Sequence, residues 1–239
     1  MIRTFFALSC GLLSAVPAFA QTCPQPLAAA TRLVLVTADT LSSTTATVER
    51  YERDAPDAPW RVSGGPATAL IGHKGVGWGY AFRAYAKRGE PIKVEGDKRA
   101  PAGFYKIGRS FGFGPSDRPG YMRITEGLTC VDDLRSPAYN TINTRDQIGS
   151  AVHGENMRHV PDYARGLVVD FPTDRKARAG SCIFMHLQLP GKTGTSGCVA
   201  LPEPQLEAVQ DHVQGGGAVL AILPRQALDR FKGCLPAPN

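Results

Sequence analysis

The sequence predicts a mainly β protein with a few short helices. Short apolar, β-branched runs recur along the chain: RLVLVTA from Arg32, LVVDF from Leu167, CIFMHL from Cys182 and AVLAIL from Ala218. Glycine and proline are abundant, at 26 and 19 residues, and follow no period, as expected for short strands joined by many turns. The segment Pro204 to Gln214 is the clearest to repeat its apolar residues at helical spacing.

Taken in order, Arg32 to Ala38 reads as a buried strand. Thr44 to Tyr51 alternates and reads as its partner across the turn Leu41-Ser42-Ser43. Trp60 to Ser63 and Thr68 to Ile71 read as strands around Gly64-Gly65-Pro66. The stretch Gly72 to Gly79 (GHKGVGWG) lacks the order and setting of a nucleotide loop, and reads as a substrate-side or structural loop. Ile92 to Glu95 and Phe104 to Ile107 read as short strands separated by a turn over Gly96 to Gly103. Residues 108–120 and 132–160 are punctuated by Pro and Gly and read as long loops. Brief helical turns are expected in or near them, at Ala138–Asn143 and Asn156–Tyr163. Leu167 to Phe171, Cys182 to Leu187 and Cys198 to Leu201 read as strands. Leu206, Val209 and Val213 share one face of the Pro204–Gln214 helix, which Gly215 ends. Ala218 to Leu223 reads as a last buried strand, and Arg225 to Lys232 as a short helix.

The chain opens with features of an export leader. Arg3 supplies a positive start, Phe5 to Val16 an apolar stretch, and Ala18-Phe19-Ala20 a cleavage site, so residues 1–20 read as a signal peptide. A lipoprotein reading at Cys10 fits less well, because it leaves a very short apolar stretch. No later apolar run approaches the ~18 residues of a membrane span. The remaining residues, 21–239, are expected to form one exported domain in a periplasm or outside the cell. The net charge of +6 favours an anionic partner. The basic residues are scattered and no aromatic-basic module is present, so nucleic acid is not expected.

Cysteine arithmetic narrows the chemistry. Without Cys10 the cysteines are Cys23, Cys130, Cys182, Cys198 and Cys234, an odd number in an oxidising compartment. We expect Cys23–Cys234 to staple the termini and Cys130–Cys182 to join interior segments, with Cys198 left as the thiol. The alternative is that Cys198 is paired and another cysteine is free. Cys198 follows Thr195-Ser196-Gly197 and precedes Val199-Ala200-Leu201, while His186 ends the preceding apolar run. A hairpin between them brings imidazole and thiol within hydrogen-bond reach, so that His186 serves as base and lowers the thiol pKa. The backbone N–H groups of Gly197 and Cys198 are candidates for an oxyanion site. Ser196 either orients the pair or completes the turn. His153, in a His-Gly pair, is the rival base or a cleft residue. His73, His159 and His212 read as ordinary surface or loop histidines. Glu95 and Asp97 are expected to hold a turn beside the cleft, and Lys93, Arg158 and Tyr163 to grip a carboxylate or peptide. No HExxH or CxxC spacing occurs, so no metal is expected, and the chemistry requires no cofactor.

The block Thr195-Ser196-Gly197-Cys198-Val199, preceded by His186, resembles the L,D-transpeptidase catalytic (YkuD-like) family. So do Lys93-Val94-Glu95-Gly96-Asp97 followed by Pro101-Ala102-Gly103-Phe104-Tyr105 and, more loosely, Val131-Asp132-Asp133 with Tyr139-Asn140 and Glu155-Asn156-Met157 with Tyr163. The blocks span about residues 68–222. The commoner form has Gly after the histidine, where this chain has Leu187, and Arg two residues after the cysteine, where it has Ala200. The His-to-Cys loop is also shorter. The chain therefore resembles a divergent branch with Gly-Cys-Val-Ala-Leu. The resemblance implies a single sandwich- or barrel-like β domain. It also implies a cysteine acyltransferase acting on peptidoglycan stem peptides through a thioester, with Cys198, His186, Gly197 and Ser196 in the catalytic site. Two alternatives remain: a peptidoglycan L,D-carboxypeptidase or amidase at the same site, and a non-catalytic wall-binding module.

Overall fold

The computed structural model describes residues 23–237; the expected leader and Cys10 lie outside them. Fourteen strands follow in chain order. The first seven are β1 (Arg32–Ala38), β2 (Thr45–Glu52), β3 (Arg61–Val62), β4 (Ala67–Leu70), β5 (Val76–Trp78), β6 (Ala100–Gly112) and β7 (Met122–Arg123). The others are β8 (Leu128–Cys130), β9 (Ile142–Thr144), β10 (Glu155–Asn156), β11 (Arg165–Asp170), β12 (Phe184–Leu187), β13 (Val199–Leu201) and β14 (Ala218–Pro224). Two α-helices are present, α1 (Arg145–Ile148) and α2 (Glu203–Val213), with short 3-10 turns between. The protein is thus mainly β with a few short helices.

The sheet closes on itself. Pairing runs β1-β14-β6-β11-β12-β13-β4-β2, and β2 pairs back to β1. Closure removes the free sheet edges of these strands. Alternation then sorts the side chains. Met185, Val199 and Leu201 enter the main core with Leu33, Val36, Phe104 and Leu220, while Phe184 and Cys198 enter a second cluster with Phe111, Met157 and Tyr163. Leu206, Val209 and Val213 carry α2 into the main core. The second cluster sits where a small sheet, ordered β10-β8-β9, meets the barrel.

Several sequence expectations are corrected by these long-range pairings. The turn expected over Gly96–Gly103 and the loop expected from residue 108 give way in part to β6. Its Pro101 and Gly103 are carried in the strand because β5 and β14 pair with them. The strand expected at Ile92–Glu95 reduces to one bridge between Ile92 and Trp78. The Gly-rich stretch contains β5. The loops expected over 132–160 contain β9, α1 and β10.

Disulfides join Cys23 to Cys234 and Cys130 to Cys182, and Cys198 is the free cysteine among the described residues. The second bridge ties the small sheet to the residue two before β12. No helix among the described residues is long and apolar enough to cross a membrane.

Candidate active site

The site begins with the pairing of β12 and β13. The two strands run parallel, with His186 opposite Ala200, so they do not form the hairpin expected from sequence. Side chains alternate along a strand. His186, Ala200 and Cys198 therefore share the face turned away from the main core. The Thr195-Ser196-Gly197 turn delivers Cys198 to that face. Gly197 has φ of 144°, and a Cβ there would lie 2.9 Å from the Arg99 carbonyl oxygen, so the position needs glycine. Thr195 Oγ1 locks the turn by donating to the Cys198 carbonyl at 2.6 Å and accepting the Gly197 N–H at 3.1 Å. That second bond removes the Gly197 N–H from the oxyanion role expected for it and leaves the Cys198 N–H as the candidate.

The sulfur is buried. The Phe184 backbone N–H donates to Sγ at 3.3 Å, and Sγ donates to the Cys182 carbonyl at 3.5 Å. Tyr163 packs in the same buried cluster as Cys198. Burial pushes the thiol up to about 12, and the charge of Glu155 adds to the rise. His186 is buried as well, and burial pulls its imidazole below the ordinary range. The resting pair is therefore neutral thiol and neutral imidazole, and the thiol is raised where the sequence leads us to expect it lowered by the imidazole. Among the described residues no direct hydrogen bond joins the two. Instead His186 Nδ1 lies 2.9 Å from the Leu187 carbonyl oxygen. A carbonyl only accepts, so Nδ1 carries the proton and Nε2 keeps its lone pair.

Both residues open on one pocket of about 230 Å³, whose lining includes Tyr163, Glu155, Asp162, Ser196, Lys192 and His73. Tyr163 stands edge-on to the His186 ring at 5.4 Å between centroids and donates to Glu155 Oε2 at 2.6 Å. Lys192 Nζ pairs with Asp162 at 3.7 Å. Ser196 is the exposed member of its turn. A larger cavity of about 490 Å³ shares the Cys182–Phe184 segment and includes Lys106, Arg109, Asn140 and Asp170 in its lining.

The other expected site residues lie elsewhere. Lys93 is buried in a salt bridge with Asp97 at 2.5 Å, and only its field reaches Cys198. Arg158 lies over the Phe113 ring at 4.1 Å. His153 is exposed and paired with Asp132. None of the three lines the cysteine pocket. Glu95 accepts from Tyr139 and Ser181, and Asp97 accepts the backbone N–H groups of Val94 and Arg99, as expected of turn-holding carboxylates. His73 and Glu155 had no role at the cysteine in the sequence reading. A bridge between Gly72 and Thr195 brings His73 to the pocket, and β10 brings Glu155. For Glu155, the one available signal was its place in the block ahead of Tyr163. Among the described residues no group of three or more His, Cys, Asp or Glu side chains is placed to hold a metal.

No family profile and no curated protein matches the chain. Among solved structures it is similar to the helical cell shape determining protein Pgp2 from Campylobacter jejuni. The identity is 19%, over 82% of this chain and 48% of that one, with a TM-score of 0.43 for a point-mutant form. The parent form gives a TM-score of 0.42 at 19% identity over 81% and 48% of the two chains. Bd1075 from Bdellovibrio bacteriovorus is 14% identical over 82% of this chain and 52% of that one, with a TM-score of 0.40. The chain thus spans about half the length of the solved structures it matches.

Proposed function

We propose that the protein is an exported cysteine acyltransferase of the L,D-transpeptidase type, acting on peptidoglycan stem peptides. The observation that carries the reading is the His186–Leu187 hydrogen bond. It leaves Nε2 as a ready proton acceptor in the pocket that holds the free thiol. His186 Nε2 takes the proton of Cys198 Sγ as the sulfur attacks the peptide carbonyl. The Cys198 N–H supports the developing oxyanion. The leaving amine takes the proton back from His186, and a thioester remains on Cys198. An incoming amine then gives a proton to His186 and attacks the thioester carbonyl. The sulfur departs, and His186 returns the proton to it. Water in place of the amine gives the hydrolase, a carboxypeptidase or amidase, with the same residues. Ala200, buried opposite His186, stands where the commoner form of the family has arginine, so the acceptor is the less constrained half of the reading.

The test is muropeptide digestion followed by mass spectrometry, with and without an added acceptor amine. Formation of a new amide that disappears in Cys198→Ala is the expected result. Shortened peptides alone assign the hydrolase. Turnover that survives Cys198→Ala removes the cysteine mechanism, and none with any muropeptide removes both enzymes in favour of a wall-binding module.

A further inference from the structure

A bulge in β6 carries a second cation onto the wall of the larger cavity. Ile107 pairs with Val169 and Ser110 with Leu167, so Gly108 and Arg109 share Val168 as their one opposite residue. The extra residue shifts the alternation of side chains by one. Ile107 enters the main core, while Phe111, four residues on, enters the second cluster. Arg109 is thereby turned out of the barrel, like Lys106 before the bulge, and both line the cavity of about 490 Å³. Lys106 has Asp170 as its cross-strand neighbour. Arg109 stands opposite the apolar Val168 and forms no ion pair among the described residues. A Cβ at Gly108 would meet nothing within 4 Å, so the space beside Arg109 is open.

The same cavity is lined by Cys182, Ile183 and Phe184, the segment that holds the free thiol. The Phe184 N–H and the Cys182 carbonyl lie 3.3 and 3.5 Å from Cys198 Sγ, which opens on the smaller pocket. Cys182 is fixed by its disulfide and by Asn140. Asn140 Oδ1 accepts the Cys182 N–H and Nδ2 donates to the Phe171 carbonyl, both at 2.9 Å. The two cavities on this segment differ in charge. The cysteine pocket sets Glu155 and Asp162 against Lys192, which already pairs with Asp162. The larger cavity sets Lys106 and Arg109 against Asp170. A carboxylate is repelled by the first and attracted by the second.

We propose that the larger cavity is a carboxylate-binding subsite for the substrate peptide, with Arg109 gripping the carboxylate and Lys106 adding charge. The proposal deepens the L,D-transpeptidase reading and rests on it for the identity of the peptide. The guanidinium presents parallel N–H groups that match the two oxygens of a carboxylate. Two cations against one acid leave a single positive charge, the complement of one carboxylate. Three strand spacings, about 14 Å, separate β6 from β13 in the order β6-β11-β12-β13, and about four residues of extended peptide cover that distance. The carboxylate held there is remote from the bond that breaks. Its contact anchors the peptide across β11 and β12 while the reacting carbonyl sits at Cys198. Arg109 determines specificity in this arrangement and takes no part in proton transfer.

The experiment is calorimetric binding to the full chain carrying Cys198→Ala, which holds a peptide without turnover. The probes are stem peptide released from peptidoglycan and the same peptide with its carboxyls converted to carboxamides. The acid should bind roughly tenfold more tightly than the amide. Adding Arg109→Gln should weaken the acid to the level of the amide and leave the amide unchanged. Adding Gly108→Leu instead fills the open space and should weaken the acid with the guanidinium intact. Equal binding of acid and amide overturns the subsite, and so does binding of neither. An acid preference that survives Arg109→Gln also overturns it, and places the carboxylate at Lys192. Circular-dichroism melts identify a variant that fails to fold, and either variant suffices alone. The measurement needs no catalysis. An Arg109-dependent acid preference in a protein inert on muropeptides keeps the subsite and removes the transferase, whereas turnover without that preference removes the subsite alone.

Discussion

His186 Nδ1 and the Leu187 carbonyl oxygen, 2.9 Å apart, fix which imidazole nitrogen can accept the thiol proton. The base must be neutral to act, and burial lowers the pKa of His186. Activity should therefore persist as pH falls through the ordinary histidine value of about 6.5, and decline only below it. His186→Gln should cut the acylation rate roughly 10²- to 10⁴-fold and abolish that acid limb. Pre-steady-state acylation measured from pH 4.5 to 8 decides the matter. An acid limb at or above the ordinary histidine value would show that another group is the base.

Glu90 supports the far side of the main core. Its carboxylate accepts from Arg230, from the Trp78 indole at 2.8 Å, from the Lys87 backbone N–H at 2.9 Å and from Gln226 at 2.8 Å. Its side chain is only 6% exposed. Those donors, Arg230 first, hold the carboxyl below the usual range. A depressed carboxyl pKa stabilises the fold above the unfolded-state value, and that stability is lost as pH falls toward the folded one. Glu90→Ala should cost about 3 kcal/mol at pH 7, because it strands a buried guanidinium. The gap to the parent should narrow below about pH 4. Urea unfolding at both pH values tests this, and a gap independent of pH would refute the ion-pair account.

The Cys130–Cys182 bridge closes a loop of 52 residues and sits directly against the sulfur of the site, whose hydrogen Cys182 accepts. Replacing both cysteines with serine should lower stability by about 2–4 kcal/mol. It should also speed alkylation of Cys198, because the Cys182 carbonyl and the small sheet then lose their fixed place over it. A stability loss with an unchanged alkylation rate would confine the bridge to a structural role.

Much of the barrel was legible in the chain. Arg32–Ala38 is a strand over the bounds its β-branched run suggested, and the α2 helix falls within one residue of its periodic stretch. Both signals are local, since side-chain periodicity and residue preference act within a few positions. The extent of β6 was not legible. Pro101 and Gly103 read as turn residues, and only pairing with β5 and β14 holds them in a strand.

At the site, the sequence by itself determined which thiol stays unpaired. An odd cysteine after a Ser-Gly turn, with a histidine ending the preceding apolar run, singled out Cys198 and His186. The tertiary structure decided their surroundings. The parallel β12–β13 register puts His186 and Cys198 on one face, and burial there neutralises both. His73 and the Glu155–Tyr163 segment lie far from Cys198 in the chain, and the Gly72–Thr195 bridge and the β8–β10 pairing help bring them to it. No local pattern encodes such a meeting. The ionisation of a buried thiol depends on which charges and donors the fold brings within reach, and long-range strand pairing sets that distance.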